Sequence, residues 1–163
     1  MNNLADIYNF LDLSDSTNTQ QQLATSGQPT IEQFPEIKAA CYQVVINLAL
    51  LDSSNAVPTE RSILENLNLT YIHIPVLWEK PTVANFDLFR QTMQQYSDRS
   101  IYVHCAANKR VSAFVYLYRR IYQNMSAAKA LADLEKIWTP HPIWQKFIDK
   151  ILIDRNNGVE PHY

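Results

Sequence analysis

Short apolar runs alternate along this chain with longer segments in which apolar residues recur every three or four positions. The short runs predict β-strands at residues 23–25, 42–48, 70–76 and 101–103. The longer segments predict helices at residues 30–40, 59–67, 83–96, 112–122, 126–138 and 143–153. Strands separated by helices predict an α/β fold with a central, mostly parallel sheet and helices on both faces. A ligand then belongs at the carboxyl ends of the strands.

The first 22 residues stand apart from this alternation. We predict an N-terminal helical piece, followed at residues 14–22 by a flexible loop, because that stretch is rich in Ser, Thr and Gln and has no period. Residues 23–163 are then expected to form a single domain. The chain has 163 residues, 47% of them hydrophobic, which is enough to bury one substantial core.

Composition and charge exclude several classes of partner. A net charge of -2 provides no general attraction to nucleic acid or to an anionic membrane. No apolar run approaches the roughly 20 residues that span a bilayer, and the N-terminus lacks the basic start and apolar stretch of a signal peptide. We therefore expect a cytoplasmic protein without nucleic-acid or membrane partners. The sequence does not indicate the oligomeric state.

The cysteines and histidines bound the chemistry further. Cys41 and Cys105 are the two cysteines, and we expect both to be free thiols in a reducing compartment. Cys41 lies between a predicted helix and a predicted strand, so we predict that it fills the core. The histidines do not have the spacing of metal ligands. We predict neither a metal nor an organic cofactor.

One segment, residues 101–112, combines a short strand, a tight loop with a thiol and the start of a long helix. The first N–H groups of a helix have no partner within the helix, and the helix dipole adds partial positive charge there. Such a place binds anions and favours the thiolate form of a cysteine. A thiolate beside an anion site predicts nucleophilic attack on an oxyanion ester, most simply a phosphate.

These residues resemble a known signature. His104, Cys105, a loop and Ser112 are similar to the His-Cys, five residues, Arg, Ser/Thr motif of the cysteine-dependent protein tyrosine and dual-specificity phosphatases. The stretches Ser-Gly-Gln-Pro-Thr at residues 26–30, Val-Val-Ile-Asn-Leu at 44–48 and Tyr-Ile-His-Ile-Pro-Val at 71–76 resemble a bacterial subfamily whose loop reads His-Cys-Ala-x-Asn-x-Arg-Val-Ser. The resemblance spans about residues 20–125 and implies a phosphatase-like fold.

The resemblance also implies roles for individual residues. Cys105 falls on the nucleophile, and Ser112 falls on the hydroxyl that assists the thiolate or its departure. His104 would shape the loop, and Gln28 would lie near the mouth of the site. The phosphate-binding positions would be those of the loop and the first helical residues: Ala106, Ala107, Asn108, Lys109, Arg110 and Val111.

Two loop positions depart from the family pattern. Val111 stands where the family has its arginine, and Arg110 is one residue early. If the loop is one residue shorter, Arg110 turns inward and binds the phosphate as a fork. If the loop has the usual length, Arg110 points to solvent. Asn108 replaces a glycine, and we expect it to adopt a positive φ because Asn tolerates that conformation.

A general acid is needed to protonate the leaving oxygen. The family places an Asp after the strand that here is predicted to end at residue 76, but this stretch contains none. Glu79 is the nearest carboxylate and is our candidate, with Asp87 on the next helix as a weaker one. Trp78 beside it is predicted to pack against the core.

We therefore expect a phosphate monoester hydrolase that acts on a phosphorylated protein or small molecule through a phospho-cysteine on Cys105. Two alternatives remain open. Val111 and the missing Asp favour a non-catalytic phosphate-binding domain. The spacing from Cys105 to Arg110 also fits the Cys-x4-Arg loop of rhodanese-like sulfur transferases, and related domains occur fused to enzymes of sulfur metabolism.

Overall fold

The computed structural model describes residues 3–17 and 21–156. This part of the chain contains five strands: β1 (Leu11–Asp12), β2 (Leu23–Ser26), β3 (Val44–Asn47), β4 (Thr70–His73) and β5 (Ile101–His104). It also contains six α-helices: α1 (Phe34–Ala39), α2 (Glu60–Asn66), α3 (Val83–Gln95), α4 (Lys109–Tyr122), α5 (Ala127–Glu135) and α6 (Pro142–Asn156). Single 3-10 turns occupy Leu4–Asp6 and Ile31–Gln33.

The strands form one sheet in the order β1-β2-β5-β3-β4. β1 pairs with β2 antiparallel, and all the other pairs are parallel. His104 at the end of β5 lies opposite Ser26 on one side and Asn47 on the other. The carboxyl ends of the parallel strands therefore meet at one edge, with Cys105 at its centre. The prediction of a mostly parallel α/β sheet is confirmed.

The core lies on both faces of the sheet, because alternate residues of a strand point to opposite sides. On one face Val103 packs with residues of α3, α4 and α6, including Phe114 and Trp144. On the other face Tyr102 packs with Phe34 of α1 and with residues of α2. Ten residues of α4 are buried, in line with the prediction that this helix is central.

Helix α4 begins at Lys109, three residues before the predicted start. Asn108 precedes it in the left-handed conformation, with φ at 66°, so the chain leaves β5 and enters the helix within a few residues. The β4 strand ends at His73, three residues before the predicted end. Residues 18–20 of the predicted flexible loop lie outside the described residues.

The prediction that Cys41 fills the core is wrong, because its side chain is exposed. Cys41 lies two positions after Ala39, the last residue of α1, and has a φ of 72°. Helices often end in such a left-handed residue, whose N–H then bonds back to the last turn. Here the Cys41 N–H donates to the Lys38 carbonyl at 3.0 Å. This turn directs the thiol away from the core.

Each helix among the described residues is too short or too polar to cross a bilayer.

Candidate active site

The loop after β5 has a conformation that depends on Asn108. Cys105 directly follows β5 and is only 1% exposed, and Ala106 and Ala107 are half-buried. Asn108 then adopts the positive φ that the sequence predicted for it. Asn is among the few non-glycine residues that accept this backbone conformation at low cost. The loop between Cys105 and α4 is consequently short, consisting of three residues.

The carbonyl groups of this loop face away from its concave side. The Ala106 carbonyl accepts hydrogen bonds from the Gln28 N–H at 3.1 Å and from Asn55 Nδ2 at 3.0 Å. The Ala107 carbonyl accepts one from Asn9 Nδ2 at 3.1 Å. Because C=O and N–H lie on opposite sides of a trans peptide, the N–H groups of Ala107 and Asn108 point the other way.

Six consecutive N–H groups are consequently available to a ligand. Within residues 3–17 and 21–156, no backbone hydrogen bond of ordinary length and angle leaves the N–H of any residue from 106 to 111, although Ala107 forms an isolated antiparallel bridge with Gly27. The first backbone hydrogen bond of α4 runs from the Ser112 N–H to the Asn108 carbonyl at 2.9 Å. Free N–H groups that converge at a helix N-terminus form a site for an anion. The thiol of Cys105 lies at the start of this set.

Arg110 folds back against the sheet edge. Its side chain is buried, at 6% exposure, and its Nη1 donates to the Val76 carbonyl at 2.9 Å. Val76 lies in the segment after β4 that also carries Glu79. The Arg110 side chain therefore does not point to solvent, and its guanidinium lies against the segment after β4. Val111 is fully buried in the same core cluster as Cys105 and Phe114, so its side chain belongs to the core.

Three buried polar side chains, those of Gln28, Glu60 and His104, form a network next to the start of the loop. His104 Nε2 lies 2.6 Å from Glu60 Oε2, and Gln28 Nε2 donates to Glu60 Oε1 at 2.7 Å. Gln28 also donates to the Pro29 carbonyl at 3.1 Å. All three side chains of the network are buried. The carboxylate of Glu60 thus connects α2, the turn after β2 and the residue before Cys105.

The sequence of the chain shows which protein family it belongs to. The sequence profile of a family described as PTP-NADK, a DSP-PTPase phosphatase fused to NAD+ kinase, matches residues 1–143. The chain belongs to this phosphatase family. No curated protein matches the chain.

Solved structures give the same assignment. The phosphatase is 32% identical to a DUF442 protein of Shewanella putrefaciens CN-32 that is assigned as a phosphatase, with 93% of both chains covered and a TM-score of 0.79. It shares its fold with the kinase associated phosphatase KAP, at 14% identity and a TM-score of 0.76 over 96% of this chain and 98% of that one. It also shares it with PTPMT1 solved with PI(5)P, at 15% identity and a TM-score of 0.68 over 85% and 94%.

Glu60 is a buried residue beside the candidate site that the sequence analysis missed. It lies in the first turn of α2, where acidic residues are common because they offset the helix dipole. The available signal was its spacing from Leu64, which is also buried. Residues four apart share a face of a helix, so a core residue at position 64 places Glu60 on the inner face.

The hydroxyl group of Ser112 already takes part in two hydrogen bonds. It donates to the Lys109 carbonyl at 2.9 Å and accepts from Trp138 Nε1 at 3.0 Å. The Lys109 ammonium lies 5.7 Å from the centre of the Trp138 ring. Trp138 therefore braces the first turn of α4, and any contact of Ser112 with Cys105 requires the hydroxyl to rotate.

The two candidate general acids differ in their surroundings. Glu79 is exposed in a turn closed by the hydrogen bond from the Lys80 N–H to the Leu77 carbonyl at 3.2 Å. Asp87 is fully buried and forms an ion pair with Arg155 between α3 and α6. Asp87 is thus bound within the core, which leaves Glu79 as the candidate. Trp78 packs against Trp138 and Trp144, as predicted.

A cavity of about 550 Å³ lies at the opposite, amino edge of the sheet. It is bordered by Leu23 and Ile101, which begin β2 and β5, and by Arg119. Arg119 forms an ion pair with Asp133. Burial alone would raise the pKa of the Asp133 carboxyl, but hydrogen bonds from Lys136 and Arg119 outweigh this effect and lower the pKa below its usual value. This cavity includes neither Cys105 nor the free N–H groups, so it is separate from the site described above.

The Glu60 network leads to a prediction about stability. Replacing Glu60 with Ala removes the partner of the buried His104 Nε2 and one of the two acceptors of Gln28 Nε2, and we expect a loss of about 3 to 5 kcal/mol in the free energy of unfolding. Urea denaturation measures this loss. The matched control is Glu65→Ala on the same helix, because Glu65 is exposed and its carboxylate pairs with the exposed Arg61. Similar losses in the two variants would contradict the role of Glu60.

The two thiols are expected to respond differently to phosphate. Cys41 is exposed and should react readily with a maleimide, whereas Cys105 is buried at the start of the loop. We expect inorganic phosphate to slow the alkylation of Cys105 by iodoacetate and to leave Cys41 unaffected, because the anions compete for the same N–H groups. Peptide mass mapping over time measures both rates. A rate at Cys105 that is independent of phosphate would contradict this arrangement.

Proposed function

We propose that the phosphatase hydrolyses phosphate monoesters through a phospho-cysteine on Cys105. The observation that carries this proposal is the set of free N–H groups from residue 106 to residue 111 beside the buried thiol. Backbone donors fixed in this way stabilise negative charge without reorganising during the reaction. Phosphoryl transfer depends mainly on such positioning and electrostatic stabilisation.

The reaction then follows in two displacements. The Cys105 thiolate attacks phosphorus, the bond from phosphorus to the ester oxygen breaks, and Glu79 gives its proton to that oxygen. Water next attacks the phospho-cysteine, transfers a proton to Glu79 and releases inorganic phosphate together with the thiolate. Ser112 assists this departure by donating a hydrogen bond to the sulfur. No metal or organic cofactor takes part in either step.

Arg110 supplies the side-chain contribution to phosphate binding. One of its N–H groups is anchored on the Val76 carbonyl, and a guanidinium has five donors. The anchored group leaves a planar fork for two phosphoryl oxygens. The same anchor connects the phosphate-binding loop with the segment that carries the proposed acid, Glu79. Arg110 thus takes the role of the family's arginine from a position one residue earlier.

The proposed substrate is a phosphorylated protein or a small phosphate ester. The net charge of the chain is -2, so the chain as a whole does not attract phosphate. The attraction comes from nearby basic residues, Lys109 and Arg110 in the first turn of α4. Among the fold neighbours, PTPMT1 is solved with a phosphoinositide, SIW14 of S. cerevisiae is a PP-IP phosphatase, and KAP has a catalytic-site cysteine. We place the protein in the cytoplasm because both described cysteines are free thiols.

Turnover of p-nitrophenyl phosphate, combined with acid quenching during the reaction, tests the proposal. We expect release of nitrophenol and a phosphoryl group trapped on the peptide that contains Cys105. Phosphate binding without turnover would instead support a non-catalytic binding domain. A persulfide formed on Cys105 from thiosulfate, with no phosphatase activity, would support sulfur transfer.

A further inference from the structure

The N-terminal segment, residues 4–10, packs against the outer side of the Cys105 loop. Ile7 in this segment is buried, and the Phe10 ring stacks on Tyr102 of β5 with 6.4 Å between ring centres. The Tyr8 carbonyl accepts a hydrogen bond from the Gly27 N–H at 2.6 Å. These contacts fix the segment to the sheet edge that carries the loop.

Asn9 and Asn108 exchange hydrogen bonds across this contact. Asn9 Nδ2 donates to the Ala107 carbonyl at 3.1 Å, and Asn108 Nδ2 donates to the Asn9 carbonyl at 2.8 Å. Asn108 Nδ2 also donates to Thr25 Oγ1 at 3.0 Å. Both asparagines have a positive φ, of 51° at Asn9 and 66° at Asn108. We call this pair of residues the asparagine clamp.

The clamp acts on one of the peptide groups proposed to bind the anion. The Ala107 carbonyl belongs to the peptide that carries the Asn108 N–H, so a donor on the carbonyl side holds the N–H towards the ligand side. If the donor is removed, this peptide can rotate and turn a carbonyl oxygen into the anion site. Carbonyl oxygens repel a phosphate, so such a rotation weakens binding directly.

Gly27 permits this close approach. A Cβ at this position would lie 2.5 Å from the Tyr8 ring and 2.8 Å from the Ala106 carbonyl oxygen. Any side chain there would push the N-terminal segment away from the loop. The absence of a side chain between them is therefore a requirement of the clamp.

We propose that Asn9 is a positioning residue for phosphate binding, which it supports through the Ala107 carbonyl and Asn108. This inference rests on the proposed function, because it assigns the N-terminal segment to the same anion site. It implies that residues 4–10 help to form the phosphate-binding site, although Asn9 and Ala107 are 98 positions apart in the sequence.

The test compares three variants at position 9 with a control. Asn9→Gly accepts the positive φ but lacks the side-chain amide. Asn9→Asp keeps the shape of the side chain but has no N–H donor. Asn9→Ala lacks the amide and also disfavours the positive φ. Asn3→Ala is the control, because Asn3 lies just before the segment and its side-chain amide donates to the exposed Asp6. Phosphate affinity is measured by calorimetry, loop protection by amide hydrogen exchange, and thermal unfolding is recorded for each protein.

We expect phosphate affinity to fall about five-fold in Asn9→Gly, the factor that corresponds to one lost hydrogen bond. Asn9→Asp should lose more, because its carboxylate faces a carbonyl oxygen. Amide exchange of residues 106–111 should quicken in both variants, and Asn3→Ala should match the wild type. Equal phosphate affinity in Asn9→Gly and the wild type would overturn the inference, as would a wild type that binds no phosphate. A wild type that binds phosphate without hydrolysing esters would overturn the proposed function alone.

Discussion

Replacing Cys105 with serine is expected to abolish hydrolysis of p-nitrophenyl phosphate and to leave phosphate binding almost unchanged. A serine hydroxyl without an adjacent base is a far weaker nucleophile than a thiolate, so the rate should fall by a factor on the order of 10⁴ or more. In the proposed binding mode the backbone N–H groups of residues 106–111 hold the phosphate, and the substitution does not remove them. Steady-state kinetics and calorimetry measure the two properties separately.

Cys41→Ser is the matched control for this experiment. Cys41 is exposed at the end of α1 and lies outside the Cys105 loop, so its replacement should leave both turnover and binding intact. Residual turnover in Cys105→Ser comparable with that of the wild type would rule out a phospho-cysteine. Loss of phosphate binding in Cys105→Ser would show instead that the loop depends on the sulfur for its shape.

The features that sequence predicted well are local ones. A short apolar run, small residues and an Asn before a helical pattern specify β5, the loop and the positive φ of Asn108 within eight positions. Alternation of strands and helices gives the parallel sheet, because parallel strands need helical connections. Each of these inferences uses residues that are neighbours in the chain.

The features that sequence missed depend on distant contacts. Glu60 meets His104 across 44 positions, and Asn9 meets Asn108 across 99. Nothing in the local pattern around either residue specifies such a partner. The exposure of Cys41 was missed for another reason, since a left-handed residue at the end of a helix is usually glycine or asparagine. The burial of Arg110 depended on loop length, which the motif alone left undecided.

Arg110 is the residue at which the second large effect is expected. Arg110→Ala should lower kcat/KM for p-nitrophenyl phosphate by about 10²- to 10³-fold, because it would remove the proposed side-chain donor to the phosphoryl oxygens. Arg110→Lys should recover little of this loss, since a point charge cannot bind the Val76 carbonyl and two phosphoryl oxygens as a planar fork does. Arg120→Ala is the control on the same helix, because Arg120 bonds to Tyr116 near the other end of α4.

Restoring the family's arginine at position 111 should not rescue the Arg110→Ala variant. Val111 is fully buried in the cluster that contains Phe114, so Val111→Arg would force a charged side chain into the core without a partner. We expect this variant to unfold at much lower urea concentration than the wild type, and to show no gain in turnover while folded. An unchanged rate in Arg110→Ala together with a large gain in a stable Val111→Arg variant would contradict the shortened loop. That outcome would mean that the arginine site lies at position 111, and that Arg110 only braces the segment after β4.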